Sequence, residues 1–355
     1  MINIIFFQNC ISPHQIPYIR ECAKDIRINK CFLIVPRIDY QQRIDMGWDS
    51  RNLLRGTSII CKIAPSDEDI SEILEINKKS YCLFSGIRAD TDVFRWLKMS
   101  LKYDVKRYII TEPPLTYKKP LWMHYIRFFL RDYKYIKSIN GIFGFGQDAV
   151  NYYKSISKKW KVFPFQYVTE TNKRQSVGHL NGKLKLLYVG SLTHRKNVSI
   201  VLKALEDLND IEFSIIGNGE EEQNLKDIVN RKCLPVTFLG KKQMSEIPSI
   251  MEGYDVLILP SLHDGWGAVV NEAMTLGLYI IVSNKCGAKA LVKNHAQGLV
   301  FINNNCSDLH NKIVLCIEHK EKIRDGLNQR LKYSESIQGP AVARYFINCL
   351  LDICR

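Results

Sequence analysis

The sequence holds 11 cysteines but no Cys-x-x-Cys pair. Zinc-knuckle spacing is therefore absent, and an odd count without regular spacing does not make a disulfide framework. Several cysteines sit in apolar strings such as Lys30-Cys31-Phe32-Leu33. They read as small buried hydrophobes, which fits a reducing compartment. No uninterrupted apolar run approaches the ~20 residues that a membrane-spanning helix needs. Met1 to Phe7 shows neither a basic leader nor a cleavage site. The expectation is a soluble, cytoplasmic chain, at most peripheral on the inner face of a membrane. Internal repeats and low-complexity tracts are missing too. Acidic residues are scarce: 36 Asp+Glu face 50 Lys+Arg, a formal charge of +14. Such a surplus favours anionic partners: nucleic acid, an anionic membrane face, or phosphorylated small molecules. No recognisable DNA- or RNA-binding motif accompanies the charge, so nucleic acid is not the expected partner.

What is present is an alternation of short apolar strings with helical patterns, the mark of parallel α/β sheets. At 355 residues and 46% hydrophobic composition the chain can bury a large core. Its length, at about 150 residues per domain, predicts two domains. In the first half, strands are expected at 1–7, 31–35, 81–84 and 108–111. Helices are expected at 15–24 and 90–102, the latter capped by Asp90 or Thr91. In the second half the expected strands are 184–189, 211–216, 236–239, 256–259 and 279–282. Helices fall at 198–208, 220–230 and 266–276. Periodicity is lost between Pro164 and Gly182, which sets the boundary. The predicted organisation is a doubly wound domain over 1–170, a second over 171–338 and a closing helix over 339–355.

The densest chemical signal is Pro260-Ser261-Leu262-His263-Asp264-Gly265-Trp266-Gly267-Ala268-Val269-Val270-Asn271-Glu272. A strand ends, glycines turn the chain, and a helix begins, so backbone N–H groups converge on an anion-binding position. Carboxylates at Asp264 and Glu272 suit the hydroxyls of a polyol. Alone, the same residues also fit an ordinary turn with a solvated Asp and a surface Glu. A second signal, Gly190-Ser191-Leu192-Thr193-His194-Arg195-Lys196-Asn197, sets two cations in a strand-to-helix loop, where open sheets bind ligands. Arg offers a fork to phosphate oxygens and Lys a compact charge. An exposed basic loop is the competing reading. The third signal, Gly217-Asn218-Gly219-Glu220, is a lone G-x-G that does not complete a dinucleotide fingerprint, because Glu222 stands where the last glycine belongs.

Taken together and in this order, these motifs resemble the retaining glycosyltransferases of family four, the glycosyl transferases group 1. That family has the GT-B fold of two facing Rossmann-like domains. The resemblance covers Leu184 to about Val300. Its E-x7-E motif corresponds to Asp264 and Glu272, and its E-G-F/W-G turn to Asp264 to Gly267. Its G-x-x-x-x-K-(G/N) loop corresponds to Gly190 to Asn197, and its G-x-G-E/P stretch to Gly217 to Glu220. Phe238-Leu239-Gly240 matches its F-L-G strand end. Gly277 to Ser283 matches its G-x-P-V-V-x-S strand, with Tyr279 replacing Pro.

The resemblance implies a nucleoside-diphosphate sugar donor, more often UDP-linked, and a glycan or lipid-linked acceptor in bacterial surface polysaccharide or lipopolysaccharide assembly. Arg195 and Lys196 would grip the diphosphate and Glu272 the ribose. Asp264, in place of the usual Glu, would reach the transferred sugar. Gly265, Trp266 and Gly267, continuing to Ala268 and Val269, would present backbone amides. Gly190, Ser191, Gly217 and Gly219 would border the donor, with Gly240 and Lys241 beside the base. No metal and no cofactor beyond the nucleotide sugar are expected, since no D-x-D-like acidic pair stands out. Glu112, after a strand of the first domain, faces donor or acceptor hydroxyls or is a structural turn residue. Ser12 and His14 lie in the first strand-helix loop, which here lacks glycine. They are acceptor candidates, with a packed loop His as the alternative.

Two further segments stand out. Between Arg95 and Lys137 eleven cations face three acids. Within it, 117–139 interleaves aromatics with cations, from Tyr117 and Lys118 to Lys137. It reads either as a basic amphipathic helix on an anionic leaflet or as a domain helix with its aromatics in the core. Gly339-Pro340 opens a helix, expected from about Pro340 to Cys354. The family resemblance implies that it returns to the first domain. Two other readings of the whole chain stay open: a GT-B-like protein that binds nucleotide sugar without turnover, and a basic nucleic-acid-binding protein.

Overall fold

The computed structural model describes residues 1–41, 44, 50, 52–116, 119–170 and 182–353. The chain divides into two units, Met1–Glu170 with Gln338–Arg355, and Thr171–Ile337. Tyr117, Lys118, Cys354 and the stretch 171–181, which the sequence reading drew on, lie outside the described residues.

The first unit is built on seven parallel strands: β1 (Ile2–Phe7), β2 (Ile28–Val35), β3 (Ile60–Ile63), β4 (Tyr81–Ser85), β5 (Lys106–Thr111), β6 (Gly141–Phe145) and β7 (Lys161–Phe165). They lie in the order β3-β2-β1-β4-β5-β6-β7. β1 is apolar without alternation because both of its faces are covered, as parallel sheets require. Successive side chains point to opposite faces. Phe7 stacks on Phe84 at 4.7 Å, beside Trp96 at 5.8 Å. Phe6 points the other way and meets Phe346 at 5.7 Å.

Phe346 belongs to the helix Gly339–Leu350, which opens with Pro in its first turn. This helix belongs to the first unit. Phe346 is fully buried among Phe6, Tyr18, Phe143 and Phe165. Gly339 lies so close to the Pro17 carbonyl that a Cβ there would come within 2.8 Å of it. The Arg27 guanidinium donates to Asn348 Oδ1 at 2.8 Å.

The second unit holds six parallel strands: β8 (Leu184–Val189), β9 (Ile211–Ile216), β10 (Val236–Gly240), β11 (Val256–Leu259), β12 (Tyr279–Ser283) and β13 (Gly298–Phe301). Their order is β10-β9-β8-β11-β12-β13. The winding reverses between β8 and β11, as it does between β1 and β4 in the first unit. Open α/β sheets bind ligands at such switch points, beyond the carboxyl ends of the strands. A buried ion pair closes the unit's base. Arg324 donates to both carboxylate oxygens of Asp255, at 3.0 and 3.2 Å.

Several helix limits differ from the sequence reading. The helix after Asp90 runs Thr91–Ser100, stopping where Arg107 takes the Ser100 carbonyl and hydroxyl. The helix after Asn197 ends at Ala204 rather than Leu208. The helix after the glycine turn begins at Val269 rather than Trp266. Gly267 sits at φ +99, outside helical space, and Trp266 is turned into the core.

Candidate active site

In the second unit, the two motif loops leave β8 and β11, the strands that flank the switch point. The loop after β8 ends in a short 3-10 turn, His194–Lys196, with Asn197 at φ +53 and ψ +41. That left-handed conformation suits Asn or Gly, which is the physical reason for either residue at this place in the motif. The turn aims Lys196 at the loop after β11. Lys196 Nζ donates to Asp264 Oδ2 at 2.5 Å, and both side chains are only 15% exposed. Arg195 donates to the His263 carbonyl at 2.8 Å and lies 3.7 Å from the same Asp264 oxygen. Leu262 N donates to the Arg195 carbonyl at 2.9 Å, so the loops are also joined through backbone. Three of the charged residues singled out in sequence thus form one cluster.

Asp264 is held from the other side as well. Its N–H donates to the Lys285 carbonyl, and its own carbonyl accepts from Gly287 N. Trp266 is fully buried, and its indole donates to Asn271 Oδ1 at 2.7 Å. Its side chain therefore anchors the turn in the core, leaving only backbone for a ligand. Ala268 and Val269 open the helix Val269–Thr275, whose first amides have no partner within the helix.

Glu272 lies on that helix. It is partly enclosed, and burial alone pushes its carboxyl up to about 7. No hydrogen bond or ion pair of this carboxylate occurs among the described residues. Enclosing a carboxylate without a partner is costly, so the position suits a ligand that brings hydroxyl donors.

Gly217 and Gly219 have a packing role that the lone G-x-G did not reveal. Their φ values are +136 and +158. A Cβ at Gly217 would lie 1.9 Å from the Gly190 carbonyl oxygen, and one at Gly219 2.3 Å from that of Leu192. The loop after β9 is thereby seated against Gly190, Ser191 and Leu192, fixing the cationic loop from behind. The Tyr188 hydroxyl donates to the Ser191 carbonyl at 2.8 Å. Gly240 ends β10 at φ +68, and Lys241 after it is exposed.

The first unit carries a cavity of about 530 Å³ at the carboxyl edge of its own sheet. Glu112 lines it and accepts from the Tyr167 hydroxyl at 2.9 Å. Ser12 lines it too, its hydroxyl accepting from His14 N at 3.3 Å. His14 packs beside Tyr167, ring centroids 5.9 Å apart, and is not among the lining residues. Sequence reading missed Arg88, His124 and Arg127 of this lining. Arg88 follows the Ser85-Gly86 strand end beside the switch point, and that position was the available signal. Arg88 pairs with Asp132 and lies over the Phe94 ring at 4.1 Å.

Comparison with known proteins assigns the second unit. Residues 169–333 match the family described as glycosyl transferases group 1.

The second unit is a group 1 glycosyltransferase domain.

The paired Rossmann-like sheets are those of the GT-B fold. HepE of Anabaena, solved with UDP, matches 99% of this chain and 100% of its own with a TM-score of 0.73 at 14% identity, a likeness of fold. An uncharacterized glycosyltransferase of Methanocaldococcus jannaschii is 31% identical over 136 residues, 38% of either chain. The UDP-Gal:alpha-D-GlcNAc-diphosphoundecaprenol alpha-1,3-galactosyltransferase of Escherichia coli is 35% identical over 116 residues, 31% of this chain and 29% of its own. The chain thus spans less than two fifths of the length of these curated relatives. The matched residues 169–333 include Arg195, Lys196, the glycine turn and Glu272.

Proposed function

We propose that this chain is a retaining, metal-independent hexosyltransferase. It moves a sugar from a UDP-sugar to a lipid-linked glycan in the assembly of a bacterial surface polysaccharide. The observation that carries this reading is the Arg195–Lys196–Asp264 cluster at the β8/β11 switch point, with Glu272, which has no side-chain partner among the described residues, on the helix beyond it.

The chemical difficulty is departure of an anionic diphosphate from the sugar's anomeric carbon. Lys196 and Arg195 bind the diphosphate and stabilise the charge that grows on it in the transition state. These two cations supply what a divalent ion supplies in other transferases. Asp264, already held by Lys196, accepts hydrogen bonds from the transferred sugar's hydroxyls. Glu272 in its ionised form accepts from the ribose hydroxyls. The acceptor hydroxyl attacks from the face that the diphosphate leaves, so the anomeric configuration is kept. Donor and acceptor classes are supported by the relative whose name specifies UDP-Gal and a diphosphoundecaprenol-linked sugar.

The test pairs UDP titration with hydrolysis of UDP-sugars by purified protein. Arg195→Ala and Lys196→Ala are each expected to lower donor turnover at least a hundredfold, with UDP affinity reduced about tenfold. Wild-type protein that neither binds UDP nor turns over any nucleotide sugar overturns the proposal. Tight UDP binding without turnover leaves a binding protein instead.

A further inference from the structure

The helix Leu121–Arg131 has two unlike faces. One face, at His124, Arg127 and Phe128, lines the cavity of the first unit. Phe128 is the helix's single buried residue. It meets Trp160 edge-on at 5.8 Å, and Tyr125 ties the helix to Ser155 at 2.6 Å. The opposite face carries Trp122, Ile126, Phe129 and Leu130, continued by Tyr133 in the following 3-10 turn. Their spacing puts them on one side. All five are exposed, Trp122 by 61% and Leu130 by 81%. A contiguous apolar surface of this size is uncommon on a water-facing helix. The sequence alternative, in which these aromatics fill the core, therefore fails for Trp122, Phe129 and Tyr133. It holds for Phe128 and Tyr135.

Exposed cations lie in the same segment: Lys119, Arg127, Arg131, Lys134 and Lys137. The acid nearest in sequence, Asp132, is buried and paired with Arg88. An apolar face with Trp and Tyr, in a segment rich in exposed cations and with no exposed acid among its described residues, is complementary to an anionic lipid surface. A protein partner would need its own matching acids, whereas a bilayer of anionic lipid supplies charge at any register.

We infer that the helix Leu121–Arg131 is an interfacial membrane anchor, lying in the headgroup layer of an anionic bilayer with its inner face as one wall of the adjoining cavity. In that pose the cavity opens beside the lipid surface. A lipid-linked acceptor can then present its polar head to His124 and Arg127 while its chains stay in the bilayer. This last step rests on the proposed function. The anchoring itself does not, and is tested without donor or acceptor.

The experiment is flotation of the full chain with vesicles of phosphatidylcholine alone or with 30% phosphatidylglycerol. Wild type should float with the anionic vesicles and bind the neutral ones at least tenfold more weakly, since each cation near an anionic surface contributes about fivefold. Trp122→Glu/Leu130→Glu should lose at least tenfold in binding while its melting temperature stays at the wild-type value. Lys134→Glu/Lys137→Glu, which leaves the apolar face intact, should lose about twentyfold or more, most visibly at low salt. Absence of flotation overturns the inference, as does binding undiminished in both variants. A dimer that the Trp122/Leu130 variant dissociates, without vesicle binding, also overturns it and assigns the face to a second copy of the chain.

Discussion

Replacing Glu272 by Gln removes one ionisable proton site and little volume. Its effects on stability and on nucleotide binding are expected to have opposite signs. In the unfolded chain this carboxyl has its ordinary value of 4.5, whereas burial in the native domain raises it to about 7. The folded form therefore holds the proton more tightly. Its stability is fully present below pH 4.5 and is lost as pH rises through 7. A difference of about 2.5 units corresponds to at most about 3.5 kcal/mol, since one unit is about 1.4 kcal/mol. Glu272→Gln should match wild type near pH 4.5 and then become progressively more stable, reaching that margin above pH 8. In a domain of this size it amounts to a melting temperature higher by several degrees. UDP should reverse the order. Ribose hydroxyls favour the ionised carboxylate, so wild-type affinity should fall about tenfold per unit as pH drops below 7. The variant should bind weakly throughout. UDP's own phosphate titrates in both proteins, so the informative quantity is the ratio of their dissociation constants, from calorimetry between pH 5.5 and 8.5. A melting difference that stays flat over this range refutes the buried-carboxylate argument. Equal UDP affinity at pH 8 refutes the ribose role.

Other perturbations probe the scaffold. Phe346→Ala, which empties the centre of the aromatic cluster between Phe6 and Phe143, should destabilise the first unit by about 3–5 kcal/mol. Urea denaturation should shift that unit's transition and leave the second unit's in place. Arg324→Met strands the Asp255 carboxylate in the base of the second unit and should cost about 3–5 kcal/mol. Adding Asp255→Asn should recover much of the loss, and a double variant no more stable than the single one would count against the pair.

The sequence made the second domain more legible than the first, for physical reasons. β8, β9 and β11 are parallel strands buried at nearly every position, so their apolar runs coincide with their limits. β3 and β7 are the edges of the first sheet, and β3 is largely exposed. β7 tolerates Pro164 because an edge strand need not donate on its outer side. Gly141 and Gly144 weaken the strand signal of β6, yet a Cβ at Gly141 would press on the Lys161 carbonyl at 2.8 Å. At the site, the charged residues could be named from the motif, but the contact between Lys196 and Asp264 depends on the strand order. The lack of a partner for Glu272 among the described residues depends on packing that periodicity does not encode. Two readings of the segment after Lys119 were equally consistent with its composition, and only burial separates Phe128 from Phe129.

The first unit is discontinuous in the chain, taking Met1–Glu170 and then Gln338–Arg355. During synthesis, the pocket formed by Phe6, Tyr18, Phe143 and Phe165 must wait for Phe346. At ordinary elongation rates that interval is about 10 to 30 s. Through that time the nascent first unit shows an open aromatic cleft, while the second unit can already fold from contiguous sequence. The order of maturation on the ribosome is therefore expected to invert the order of translation, with the second lobe finished before the lobe that was made first.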